Sequence, residues 1–122
     1  MSINPPPCRG EIVLVDYPFS SGSGGKRRPA LIVQNDRDNS RLQNTVVAMI
    51  SSNISRVHEP TQLLIDVSTP DGKLSGLHQD SAVICNNLFT IETRLIVRRI
   101  GLLSQGLMSQ VEVCLKAALE LL

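Results

Sequence analysis

Lys26-Arg27-Arg28 follows two glycines and precedes Pro29, and the apolar run Ala30-Leu31-Ile32-Val33 comes directly after it. Three adjacent cations at the mouth of an apolar segment could hold phosphate, although most clusters of this kind only keep a surface solvated. An arginine presents a fixed fork of N–H donors that fits phosphate oxygens, and a serine hydroxyl can add a third hydrogen bond while also accepting one. Such a serine, Ser51, closes the apolar stretch 45–50 and is followed by Ser52-Asn53. If the segments carrying Arg28 and Ser51 pair antiparallel, the two side chains meet at a phosphodiester. Without Arg28, the Ser51-Ser52-Asn53 triplet reads as a polar strand exit or an Asx-type turn.

The other candidate groups carry less. His58 and His78 could form an acid/base pair that cleaves RNA through its 2′-hydroxyl. Each sits among polar residues, in "RVHEP" and "GLHQD", where a solvent-exposed histidine is the simpler reading. Asp80 is placed to orient backbone at a strand start. Arg98 and Arg99 alternate across a strand, so at most one faces a ligand on a given side. No G-x-S-x-G motif supports a serine hydrolase. Neither histidine has a second His or Cys at metal-ligand spacing, so neither a metal nor another cofactor is expected.

These residues need elements to hold them. Residues 11–17 are rich in β-branched types and read as a strand that Pro18 ends. The composition of 19–25 is that of a flexible loop, with Lys26 and Arg27 at its far end. Pro29 drives Arg28 into extended geometry, so a second strand is expected from about Arg28 to Gln34. Residues 35–40 read as a turn, 45–50 as a strand apolar on both faces, and 61–67 and 81–85 as strands separated by a Pro70-Asp71-Gly72 turn. A last strand is expected at 95–102. After Ser104, a good N-cap, Met108, Val111, Leu115, Ala118 and Leu122 recur at helical spacing. Five or six short strands and one helix describe a mainly β (α+β) fold, a small, strongly bent antiparallel sheet closing as a barrel with the helix over an open side.

Residues 10–122 fit one domain, and Pro5-Pro6-Pro7 make residues 1–9 a stiff extended leader. With 42% hydrophobic residues and a net charge of +1, the chain has no general pull toward nucleic acid, so any such binding must be local. Three cysteines, Cys8, Cys85 and Cys114, are odd in number and widely spaced, which suits a reducing cytoplasm. Cys85 and Cys114 lie in apolar patterns and read as core residues. No signal peptide and no membrane-spanning run is legible.

Taken in order, "RGEIVLVDYPF", "GGKRRPALIVQND", "TVVAMISSN", "QDSAVICNNLFTI" and "RRIGLLSQGLMSQVEVCLKAAL" resemble the MazF/PemK family of toxins from type II toxin–antitoxin pairs, from about Arg9 onward. The resemblance implies a src-homology-3-like barrel and a homodimer. It implies a metal-independent, sequence-specific endoribonuclease acting on single-stranded RNA, neutralised by a cognate antitoxin protein and reaching operator DNA only indirectly through that antitoxin. The family's catalytic arginine falls on Arg28, assisting proton transfer and stabilising the phosphorane. Its hydroxyl partner falls on Ser51, holding the scissile phosphate while the RNA's 2′-oxygen attacks. Lys26, Arg27, Ser52, Asn53, Asn86 and Phe19 are then the residues expected around the RNA. Where some members carry an acidic residue, this chain has Cys85-Asn86-Asn87, and Asn86 can bind a base edge but cannot take a proton. With 2% aromatic residues, Tyr17 and Phe19 are the stacking platforms near the loop. Two rival readings are a gyrase-inhibiting toxin of the same fold and a non-enzymatic RNA-binding barrel.

Overall fold

A computed structural model describes residues 5–17 and 26–122. Phe19 and the glycine-rich segment that precedes Lys26 therefore lie outside the described residues. Six strands form one antiparallel sheet in the order β4-β5-β3-β2-β1-β6. They are β1 (Glu11–Tyr17), β2 (Lys26–Ile32), β3 (Asn44–Ser51), β4 (Gln62–Ile65), β5 (Ser81–Glu92) and β6 (Ile96–Leu102). The helices are α1 (Asp36–Arg41), α2 (Pro70–Leu74) and α3 (Gln105–Leu119). The sheet is bent and barrel-like, but the ladder does not join β4 to β6. No helix among the described residues is long and apolar enough to cross a membrane.

Strand alternation sorts the core into two clusters, one on each side of the sheet. On one side Ile12, Leu31, Ala48, Ile50, Val83 and Cys85 pack against Leu103, Met108, Val111 and Cys114, which brings α3 onto the sheet. On the other, Val13, Val15, Tyr17, Ala30, Ile32 and Val47 pack against Ile91 and Ile96. The Ser104 hydroxyl accepts the Leu107 N–H at 3.2 Å and starts α3 as expected. Met108 and Val111 are buried and Leu115 and Ala118 half-buried, whereas Leu122 lies beyond the helix and is exposed. Cys114 takes the buried place on the next turn.

Several boundaries differ from the sequence reading. Residues 35–41 are a capped helix, because the Asn35 side chain accepts the Asp38 N–H at 2.9 Å and Arg41 closes the last turn. Buried Asn39 fastens α1 to β3 by accepting from Thr45 Oγ1 at 2.8 Å. The Pro70-Asp71-Gly72 segment likewise starts α2, with Thr69 as its cap. β5 continues past Cys85 to Glu92. A register shift opposite Ala48 and Met49 absorbs the polar Asn86-Asn87 pair, and the Asn87 amide reaches Met49 Sδ at 3.2 Å. The leader is tied down from Pro5 onward, since Arg99 donates to the Pro5 and Pro6 carbonyls and pairs with Glu11 at 3.0 Å.

Candidate active site

β2 starts at Lys26 rather than at Arg28, so Lys26 and Arg27 are strand residues in register with Tyr17 and Asp16. They are not loop charges, because β1 extends to Tyr17 and offers them pairing partners. The β1–β2 ladder runs through Pro29 without interruption. Pro29 has no N–H to give, so its nitrogen lies on the β3 side, opposite Ile50. There the β2–β3 ladder stops, its last described pair being Ala30 with Met49. One missing donor thus opens a gap between two neighbouring strands. Arg28 and Ser51 both lie just beyond that last pair.

A cavity of about 410 Å³ opens at the gap. Arg27, Arg28, Ser51 and Ser52 line it, and so do His78, Gln79 and Arg98. Its floor is apolar, from Leu14, Pro29, Ile50, Leu77 and Ile100. Among the described residues, three arginines and no carboxylate line this space, so a chain of net charge +1 concentrates positive potential at one place. Arg28 shares the face of Ala30 and Ile32, toward Tyr17. Arg27 shares the face of Leu31, where Leu14, paired with Arg98, also points. The gap therefore has a different cation on each side.

Of the remaining expected residues, Lys26, Asn53 and Asn86 are exposed but lie outside the lining. Asn53 accepts the Ser55 N–H at 3.1 Å, and Ser51 Oγ accepts the Asn53 N–H at 3.1 Å. The serine exit is thus both a turn and a cavity wall. The two histidines are not brought together: His78 lines the cavity and His58 does not. Asp80 accepts the Val67 N–H at 3.0 Å, the backbone role expected of it. Arg98 lines the cavity while Arg99 turns to Glu11, as strand alternation demands.

Tyr17 is no stacking platform. It is buried against the Phe89 ring, with centroids 5.8 Å apart. Burial pushes its phenol up to about 12, with the Arg28 charge pulling the other way, so it does not act as a base near neutrality. Sequence reasoning missed the place of His78 and Arg98 because a contact between α2's exit loop and β6 brings them here. The signal lay in two glycines. Gly76 has φ +73°, and a Cβ there would sit 2.3 Å from the Ile100 carbonyl oxygen. A Cβ on Gly101 would sit 2.4 Å from the Ser75 carbonyl oxygen. Only backbone without side chains packs this closely, and Ser75 Oγ accepts the Leu77 N–H to hold the same loop.

The description "PemK-like, MazF-like toxin of type II toxin-antitoxin system" fits residues 8–119. Endoribonuclease MazF9 of Mycobacterium tuberculosis is 34% identical over 119 residues, covering 93% of this chain and 96% of that protein. Endoribonuclease EndoA of Bacillus subtilis is 29% identical over 115 residues, covering 93% and 95%. Among solved structures, a mycobacterial endoribonuclease in complex with its cognate antitoxin superposes with TM-score 0.75 at 22% identity, covering 95% of this chain and 97% of that one. Mycobacterium tuberculosis toxin MazF-mt6 gives 0.74 at 25% identity, covering 91% and 97%.

Proposed function

The chain belongs to the PemK-like, MazF-like toxins of type II toxin–antitoxin systems, and from that membership we propose that it is an endoribonuclease cutting single-stranded RNA at a short specific sequence. The observation that supports the reading is that Arg28 and Ser51 line one cavity where the β2–β3 ladder ends. The RNA's own 2′-oxygen attacks the adjacent phosphorus as its proton leaves, the P–O5′ bond breaks, and the 5′-oxygen takes up a proton. The products are a 2′,3′-cyclic phosphate and a 5′-hydroxyl, with no water consumed. Charge builds on the phosphoryl oxygens in between, and the preorganised fork of Arg28 meets it there. The Ser51 hydroxyl holds the phosphate, and Arg27 and Lys26 add charge along the backbone. A guanidinium is already protonated and has no lone pair with which to take the 2′ proton, so Arg28 serves as hydrogen-bond donor and stabiliser and not as the base.

A cognate antitoxin neutralises the toxin by laying an acidic segment over the same cations, and a second copy of the chain extends the groove to several nucleotides. Incubating purified protein with a long RNA tests the reading. Cleavage that survives EDTA and fails on a substrate with deoxyribose 5′ to the cut supports it. Intact RNA, or dependence on a divalent ion, would refute it, and gyrase-dependent DNA breaks would favour a toxin with another target.

A further inference from the structure

The cavity is larger and more varied than a single phosphate needs. Its volume, about 410 Å³, falls within the roughly 300–1,000 Å³ of pockets that take small organic ligands. An apolar floor lies beneath a rim carrying an imidazole, a guanidinium, an amide and hydroxyls. That combination suits a flat, heteroatom-edged ring better than a bare anion. Single-stranded RNA is read by splaying bases out of the stack onto aromatic, histidine or arginine planes and hydrogen-bonding their edges. Tyr17 is buried, Phe89 packs edge-on against it, and neither lines the cavity. His78 and Arg98 are both exposed and both line the cavity.

We propose that this cavity is a nucleobase subsite, taking one unstacked base next to the scissile phosphodiester between the planes of His78 and Arg98. The proposal rests on the endoribonuclease reading and adds where sequence preference is read. The phosphodiester stays at the gap with Arg28 and Ser51, and the neighbouring base enters on the side of Leu14 and Ile50. Gln79 and Ser81 reach the base edge. The subsite is preorganised, because Gly76 and Gly101 fix the His78 loop against β6 and Ser81 Oγ donates to the Gln79 carbonyl at 2.9 Å.

The test begins with mapping the wild-type cut site on a long RNA. A short oligonucleotide carrying that site is then made with deoxyribose 5′ to the cut, so that it binds without reacting. Each base flanking the cut is removed in turn, and binding is followed by fluorescence anisotropy at fixed salt. For wild type, loss of one flanking base should weaken binding about tenfold, inside the roughly 5- to 150-fold range of one stacked base. Arg98→Ala/His78→Ala should bind the intact oligonucleotide about that much more weakly and no longer respond to the missing base. Arg98→Lys, which keeps the charge but not the plane, should retain the salt dependence while losing most of the base response. Penalties for each missing base that match between wild type and the double variant would overturn the subsite and leave the nuclease standing. Failure of wild type to cut any RNA would overturn the nuclease reading itself.

Discussion

Arg28→Ala separates chemistry from folding. Arg28 is exposed at the outer part of β2, so its truncation should alter unfolding free energy by no more than about 0.5 kcal/mol. Arg27 and Arg98 remain on the cavity wall and keep much of its attraction for phosphate, so substrate affinity should change little. The lost group is the donor fork of Arg28, which shares the cavity with Ser51. Removing one preorganised donor from a developing oxyanion costs about 2.7–4 kcal/mol, or roughly a hundred- to a thousandfold in rate. Arg28→Lys keeps the charge without the fork and should fall between the two. Ser51→Ala loses a neutral hydrogen bond of about 0.5–1.5 kcal/mol, a few-fold to about tenfold in rate, and also frees the Asn53 N–H that Ser51 Oγ holds. The assay is single-turnover cleavage of a short RNA with enzyme in excess, reading the rate of cyclic-phosphate formation. Cleavage by Arg28→Ala within threefold of wild type, or a defect cured by raising enzyme concentration, would refute the assignment.

Alkali should destabilise the fold from within. Burial pushes the Cys85 thiol up to about 12 and raises that of Cys114, and Tyr17 is pushed up to about 12. A folded-state pKa above the unfolded one gives stability that is complete below about pH 9 and is lost as pH climbs toward 12. Cys85 alone should lower the unfolding free energy by about 1 kcal/mol between pH 9 and 10, and a flat urea-unfolding profile up to pH 11 would contradict this. Gly76→Ala must hold φ +73° with a Cβ 2.3 Å from the Ile100 oxygen. It should cost about 2–4 kcal/mol, a fall in Tm of roughly 10 °C by calorimetry. In light scattering at micromolar concentration the protein should have twice the 13.3 kDa mass of one chain, and an active monomer would remove the second copy from the groove.

The strands with alternating or continuous apolar residues were legible because burial leaves a period-two imprint, and α3 because Ser104, Met108 and Val111 mark its start and face. Polar helices escaped. The residues of 35–41 are the same Asn, Asp and Ser types that make turns, and what decides between them is Asn39, buried through Thr45, a partner on another element. The strand start at Lys26 escaped because pairing with Tyr17 overrides a composition that favours loop. Arg28 and Ser51 could be joined on paper, since antiparallel register is arithmetic once two strands are recognised. His78 and Arg98 were not, because the trace that the α2 exit loop leaves in the sequence is the glycine pair 76 and 101, and a glycine alone does not say which backbone it admits. Asn86 belongs to a segment whose strand is irregular, where alternation no longer says which way a side chain points.

The facing glycines at 76 and 101 also divide the molecule's freedom to diversify. They lock one backbone to another without using side chains, so the neighbouring positions 77–79 and 98 can exchange residues while the backbone holds still. A lineage that needed to attack a different message could therefore change the lining of one cavity and leave Arg28, Ser51 and Pro29 untouched. For the engineer the same division gives an address. A library randomised at 78, 79 and 98, with both glycines held, varies what is recognised and spares what cuts.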